Sequence, residues 1–239
     1  MPPDAATPAV ADHGEMSRTA GGWWPADAEE LQDLQRRLGL LRPPPWHPGT
    51  SPHDLAAAAV VHDPDEGGRA WAGAVLVRGR RMLAAQAVAG AVHGPYLPTL
   101  RSARDGPLLV TALEALGRRP DVVLLAAAGR DHPRHAGLAL HLGAVLGLPS
   151  IGLTDRPLSA TGPVPGPVRG DTAALVLDGV EVARRVRTAT GVRPVVAHAA
   201  WRTTGEVAAA LLLAGTRGAR TPWPLREARR LAREARGRG

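Results

Sequence analysis

One stretch decides the fold of this chain: residues 120–153, which read PDVVLLAAAGRDHPRHAGLALHLGAVLGLPSIGL. The stretch opens with an unbroken apolar run over 122–128, which is typical of a strand buried on both faces of a sheet. Apolar residues then recur at helical spacing from Leu138, and Gly147 ends that helix. A second apolar run follows over 148–153. The stretch therefore predicts a βαβ unit with parallel strands and a right-handed crossover.

The segments on either side extend this unit into a larger sheet. Upstream, three apolar runs separated by turn-rich segments predict an antiparallel meander, and a helix follows it. Downstream, Asp178-Gly179 predicts a two-residue hairpin turn, and Thr204 is placed to cap a later helix. These patterns predict an α/β fold with a mixed sheet flanked by helices. The predicted strands span 55–61, 71–77, 82–92, 173–177, 182–186 and 195–197, and the helix after the meander starts near Pro107 and ends at Gly117.

Composition bounds the domain organisation of the 239 residues. Residues 1–25 are rich in Ala, Pro and Gly, and we expect a disordered tail there. Residues 26–215 are predicted to form the domain, and 216–239 a basic, solvated helical tail. The absence of cysteine excludes a disulfide framework, and no apolar segment is long enough to span a bilayer. We expect a cytoplasmic protein that does not associate with membranes.

The chain is strongly basic, with a net charge of +7, and all its Lys+Arg positions are arginine. Arginine binds phosphate bidentately and stacks on bases, so this charge weakly favours a polyanionic partner. Abundant Ala, Arg, Gly and Pro could equally reflect genome composition.

The central stretch contains a set of spaced motifs, which are Pro120-Asp121-Val122-Val123, Gly129, His132-Pro133-Arg134, Gly137, Leu138-Ala139, His141, Gly143, Pro149 and Ile151-Gly152. In this order the motifs resemble the endonuclease V family. Upstream, Pro95-Tyr96-Leu97-Pro98 resembles the wedge loop of that family, and the similarity covers roughly residues 28–213. The resemblance implies a ribonuclease-H-like fold. It also implies Mg²⁺-dependent cleavage of DNA or RNA near a deaminated adenine, with the metal held by carboxylates from neighbouring strands.

The residues that the resemblance places in the catalytic site are mostly replaced. The two strand aspartates of the family fall on Ala59 and Ala126, and the helix glutamate falls on Asp105. The family's lysine falls on Asp155, and its late histidine falls on Trp201. Only Asp105 keeps an oxygen ligand, so we expect a weak metal site and a catalytically degenerate protein, with Mg²⁺ as cofactor only if the chain is active.

A relocated metal site is the alternative, because Asp131 and Asp155 could converge with Asp105 at the carboxyl ends of the strands.

The nucleic-acid-binding residues implied by the resemblance lie in two loops. Tyr96, flanked by Pro95, Leu97 and Pro98, would wedge into the strand beside an unpaired base. His132, Pro133 and Arg134 would line the base pocket and contact phosphate, and Gly129 and Gly152 would let the backbone approach a base. Each residue also has a structural interpretation. Tyr96 could pack on its loop, residues 132–134 could be a helix entry, and the glycines could be simple turns. We interpret His141 as a core histidine.

Three hypotheses follow. The first is a catalytically degenerate endonuclease V-like protein that still binds DNA or RNA, expected to be a monomer. The second is a working nuclease that uses relocated carboxylates. The third is a non-catalytic scaffold, favoured by the alanine-rich first strand, in which Trp201 fills the space of the lost catalytic groups.

Overall fold

The computed structural model describes residues 23–50, 52–63, 68–92, 99–216 and 218–238. The predicted wedge loop, Pro95 to Pro98, lies outside the described residues. So do residues 1–22, which make up most of the predicted N-terminal tail.

The described ranges contain five named helices and eight strands. The helices are α1 (Ala28–Leu40), α2 (Arg101–Glu114), α3 (Leu138–Leu146), α4 (Gly205–Gly215) and α5 (Trp223–Arg238). The strands are β1 (Asp54–His62), β2 (Arg69–Arg78), β3 (Arg81–Ala91), β4 (Val122–Leu125), β5 (Ser150–Thr154), β6 (Thr172–Leu177), β7 (Val180–Val186) and β8 (Val195–Ala199).

All eight strands form one sheet in the order β3-β2-β1-β4-β5-β8-β7-β6. β1, β4 and β5 are parallel, and the other neighbours are antiparallel. The predicted mixed sheet is therefore confirmed. Local signals explain its connections: Gly147 ends α3 in the left-handed conformation with a φ of 61°. Asp178 and Gly179, with φ values of 52° and 77°, close the hairpin between β6 and β7.

Helices cover both faces of the sheet. Neighbouring residues of β1 point to opposite faces, so this strand contributes side chains to both cores. Ala56 and Ala58 pack in the core formed with α1, α2 and α3, whereas Ala57 and Ala59 pack in the core formed with α4 and α5. The fold is thus a three-layer sandwich, in which the small side chains of β1 let both helix layers approach closely. In the described ranges, no helix has the length and apolar content needed to cross a bilayer.

The C-terminal helix α5 is part of this sandwich, which corrects the prediction of a solvated tail. Leu225, Ala228 and Ala232 are buried, and they pack against β1 and β2. A Cβ atom on Gly73 of β2 would lie 2.1 Å from the Ala228 carbonyl oxygen, so only glycine admits the helix at this distance. The Glu and Arg pairs that suggested a solvated helix occupy its outer face.

Two predicted element boundaries are wrong. β4 ends at Leu125 rather than Ala128, because the chain then bends across the sheet towards β8. α2 begins at Arg101, six residues before Pro107, so this proline lies inside the helix and not in its first turn. Gly106 makes the interior proline tolerable, since it has no Cβ to clash with the following ring. The indole of Trp24 occupies the space beside Gly106, within 2.1 Å of where a Cβ would be.

Candidate nucleic-acid site

The site implied by the resemblance lies at the carboxyl ends of β1 and β4. These strands are parallel neighbours, with Ala58 paired to Leu125, so Ala59 and Ala126 lie next to each other where the strands end. Both face a cavity of about 150 Å³. It is lined by Ala58, Ala59, Val60, Arg101, Leu109, Leu125, Ala126, Ala127, Leu138 and Arg229.

Asp105, the predicted catalytic carboxylate, is held by an arginine beside this cavity. Its side chain is 1% exposed, and Oδ2 accepts hydrogen bonds from Arg101 Nε at 3.1 Å and Nη2 at 2.8 Å. Arg101 Nη1 also donates to the Ala126 carbonyl oxygen at 3.3 Å. One guanidinium therefore neutralises Asp105 and ties α2 to the end of β4.

The second oxygen of Asp105 faces His62, at the end of β1. His62 Nε2 lies 3.1 Å from Asp105 Oδ1, although the geometry is not that of a hydrogen bond. Burial lowers the pKa of His62, Asp105 opposes this shift, and Arg104 and Arg101 add to it. The net result is that the pKa of His62 lies below its ordinary value.

These residues do not fit a catalytic Mg²⁺ ion, which needs several oxygen ligands. Ala59 and Ala126 offer methyl groups, and the Asp105 carboxylate is already paired with Arg101. Within the described ranges, no three His, Cys, Asp or Glu side chains are grouped closely enough to hold a metal. A divalent cation would also meet the positive charges of Arg101 and Arg229 at the cavity wall.

The acids of the alternative metal site do not converge, so that expectation is corrected. Asp131 is fully buried, and its carboxylate accepts hydrogen bonds from the backbone N–H groups of Leu158, Ser159 and Ala160 at 2.7–2.8 Å. The side chain of Asp155 is 75% exposed and pairs with Arg220. Asp131 thus anchors the loop after β5, and Asp155 is a surface ion pair.

Trp201 does not line the cavity, so it does not fill the space of the catalytic groups. Its backbone N–H donates to Ser150 Oγ at 3.1 Å, and its carbonyl accepts from the Ser150 N–H at 3.0 Å. Ser150 opens β5, and the Trp201 side chain packs beside Gly143 of α3. The tryptophan therefore belongs to the packing of α3 on the sheet.

His132 and Arg134 contact Thr99, the residue after the predicted wedge loop, and do not lead directly into a helix, because α3 begins only at Leu138. His132 Nε2 donates to the Thr99 carbonyl at 3.1 Å, and Arg134 Nη2 donates to Thr99 Oγ1 at 2.8 Å. Gln35 of α1 adds a donor to the same carbonyl at 3.0 Å. We call these three residues the Thr99 clamp.

The Thr99 clamp maintains an unusual backbone conformation. Thr99 has a φ of 67°, in the left-handed region that a β-branched residue rarely adopts. Such strain costs on the order of 1–3 kcal/mol and persists only where the surroundings impose it. Burial lowers the pKa of His132 to about 4, so the ring is neutral at pH 7 and Nδ1 can accept from the Arg134 N–H at 3.2 Å.

The two predicted binding glycines are required by packing within the protein. A Cβ on Gly129 would lie 2.1 Å from the Ala199 carbonyl oxygen, and one on Gly152 would lie 2.2 Å from that of Ala127. Pro133, at the tip of the same loop, is exposed. The glycines let the segment after β4 cross the sheet.

Sequence reasoning missed Arg101, His62 and Arg229 at the site. Arg101 precedes Asp105 by four residues, a spacing that indicates a pair only once both are known to lie on α2, which begins at Arg101. The other two residues come from β1 and α5, and only the tertiary fold brings them to this edge. His141 was interpreted correctly: it is fully buried, and its Nε2 lies 2.7 Å from the Trp23 carbonyl oxygen.

Comparisons with known proteins agree with the fold. The family model of endonuclease V matches residues 53–230. Endonuclease V of Streptomyces coelicolor is 38% identical over 216 residues, covering 89% of this chain and 92% of that protein. The crystal structure of Streptomyces avermitilis endonuclease V is 34% identical, with a TM-score of 0.82 over 90% of this chain and 95% of that one.

A structure from Ciona intestinalis shows endonuclease V in complex with a 24mer DNA containing an inosine followed by a ribo-adenosine. It is 17% identical, with a TM-score of 0.75 over 88% of this chain and 98% of that one, which is a likeness of fold alone. The family match over 53–230 and the identity to the Streptomyces proteins decide the assignment. This chain belongs to the endonuclease V family and has its ribonuclease-H-like fold.

Proposed function

We propose that this chain binds nucleic acid at the carboxyl ends of β1 and β4 and does not hydrolyse it. The observation that carries the proposal is the pairing of Asp105 with Arg101 beside the methyl groups of Ala59 and Ala126. A nuclease of this family would need carboxylate oxygens free for a metal at these positions. The Mg²⁺ ion implied by the resemblance therefore has no place in the proposal.

Nucleic-acid binding is supported by the family and by what the site retains. The Ciona relative was solved with an inosine-containing DNA, which shows that a protein of this fold accommodates such a strand. In this chain the Thr99 clamp fixes the residue that follows Pro95, Tyr96, Leu97 and Pro98. We propose that this loop contacts the nucleic acid. His132 and Arg134 would position the loop through their hydrogen bonds to Thr99.

The test is a binding titration with fluorescently labelled oligonucleotides, with and without hypoxanthine, at several salt concentrations. We expect the logarithm of the binding constant to fall linearly with the logarithm of the salt concentration, because arginine–phosphate contacts release counterions. A preference for hypoxanthine that disappears in Tyr96→Ala would support the role of the loop. Absence of binding at low salt would refute the proposal.

A further inference from the structure

The cavity between Ala59 and Ala126 has lining charges of one sign. Of its ten lining residues, eight are apolar, and the two charged ones are Arg101 and Arg229. Its volume of about 150 Å³ corresponds to about five water molecules at roughly 30 Å³ each. This space accepts a small polar group, and its charge favours an anion.

Arg101 has donors left over for such a group. A guanidinium carries five N–H bonds. Two of those of Arg101 bind Asp105, and a third reaches the Ala126 carbonyl over a long 3.3 Å. The side chain is 34% exposed. The remaining N–H bonds are therefore available to oxygen atoms in the cavity.

Arg229 is fixed beside the cavity by the packing of α5. The preceding residue, Ala228, contacts Gly73, which is the residue of β2 paired with Ala59. Arg229 itself is exposed, and its guanidinium forms no hydrogen bond or ion pair with any residue that the structure describes. A rigid helix thus presents an uncommitted cation next to the first strand.

Among the residues that the structure describes, the two charged side chains that line the cavity are both arginines. The Asp105 carboxylate, which lies beside the cavity, is paired with Arg101. Arg229 carries a charge that forms no ion pair within the described ranges. A tetrahedral oxyanion matches this arrangement, since guanidinium groups bind phosphate oxygens in a planar, bidentate manner.

We propose that this cavity is a phosphate site in which Arg101 and Arg229 bind the oxyanion directly, in place of a metal. The inference deepens the proposed function, and it rests on that function only for the source of the phosphate, a nucleic-acid backbone. A free phosphate ion has the same chemistry, so the experiment must separate the two sources.

The experiment uses the full chain and two variants, Arg229→Ala and Arg226→Ala. Both arginines are exposed on α5 and both substitutions remove one charge, but Arg226 does not line the cavity. The first measurement is the salt dependence of oligonucleotide binding. The second is the rise in melting temperature caused by inorganic phosphate relative to chloride at matched ionic strength.

We expect Arg229→Ala to reduce the slope of log affinity against log salt by about 0.7–0.9, the value for one lost phosphate contact. Stabilisation by phosphate should also disappear in this variant and persist in Arg226→Ala. If the slope falls but inorganic phosphate stabilises none of the proteins, the site takes phosphate only as a backbone diester, and the inference is upheld.

Two other outcomes separate the inference from the proposed function. If oligonucleotides bind and the two variants behave alike, the phosphate site is wrong and the proposed function stands. If oligonucleotides do not bind, but phosphate stabilises every protein except Arg229→Ala, the proposed function is wrong and the phosphate site stands. Failure of both measurements overturns both.

Discussion

Protonation of buried histidines should destabilise this fold at mildly acidic pH, and His141 gives the sharpest test. The ring is fully buried in α3, stacks on Trp24 at 4.6 Å between centroids, and bonds to the Trp23 carbonyl. Burial lowers the pKa of His141 to about 4, from about 6.5 in the unfolded chain. Between these values the unfolded chain binds a proton that the folded chain does not bind. The free energy of unfolding must therefore fall as the pH falls.

The magnitude follows from the two pKa values. From pH 7 to pH 5.5, His141 should remove about 1.2 kcal/mol from the free energy of unfolding, and down to pH 4 about 3 kcal/mol in total. His132, with its pKa also near 4, contributes a similar loss. Burial lowers the pKa of His198 too, which acts in the same direction.

The assay is urea unfolding at pH 7 and pH 5.5 of the wild type, His141→Gln and His47→Gln. Glutamine at 141 can donate to the Trp23 carbonyl but cannot titrate. Between pH 7 and pH 5.5, the free energy of unfolding of this variant should therefore fall by about 1.2 kcal/mol less than that of the wild type. His47 is exposed, so His47→Gln removes an imidazole without removing a buried contact and serves as the matched control. Equal losses in the wild type and His141→Gln would refute the assignment of a depressed pKa to this ring.

Three further substitutions test particular contacts. Gly73→Ala should destabilise the fold by about 1–3 kcal/mol because its Cβ would overlap Ala228. Gly49→Ala, which has open space around it, should not destabilise the fold. Equal melting temperatures for the two variants would show that α5 does not pack on the sheet. Asp131→Asn should cost about 1–3 kcal/mol in urea unfolding by weakening three backbone hydrogen bonds, yet leave oligonucleotide affinity unchanged; a change in affinity instead of stability would mark it as a ligand. Thr204→Ala should cost about 1 kcal/mol, measured in the same way, because Thr204 caps α4, and no loss would contradict the cap.

Sequence patterns predicted the elements whose signals are local. The run over 122–125 and the helix Leu138–Leu146 are decided by nearby residues, and so is the hairpin at Asp178. The same is true of the N-cap at Thr204, whose side chain accepts from the Val207 N–H. Each of these needs only a few consecutive residues, which a single sequence contains.

The roles of charged residues were harder to predict because their partners are distant in sequence. Arg130 donates to the carbonyls of Gly39 and Leu41, about ninety residues away. Arg185 and Arg187 hold the loop before β6 through its backbone carbonyls. Several of the arginines that suggested a polyanionic partner therefore form hydrogen bonds within the protein. Which arginines remain for a ligand can be decided only from the fold.

The sequence located the positions at which the family's aspartates are replaced by alanine, but it did not predict that an arginine would bind the remaining carboxylate. The resemblance located Ala59 and Ala126, and the structure places them together at one cavity. That Arg101 would bind the remaining carboxylate required knowing that α2 starts six residues earlier than Pro107 suggested.

Cleavage of a hypoxanthine-containing oligonucleotide tests the central claim most directly. The labelled strand is incubated with the full chain and Mg²⁺ or Mn²⁺, with an active endonuclease V as positive control and EDTA as blank. Because Ala59 and Ala126 supply no oxygen ligands, we predict no product above the EDTA blank. Product that accumulates with metal and is abolished by Asp105→Asn would contradict this prediction.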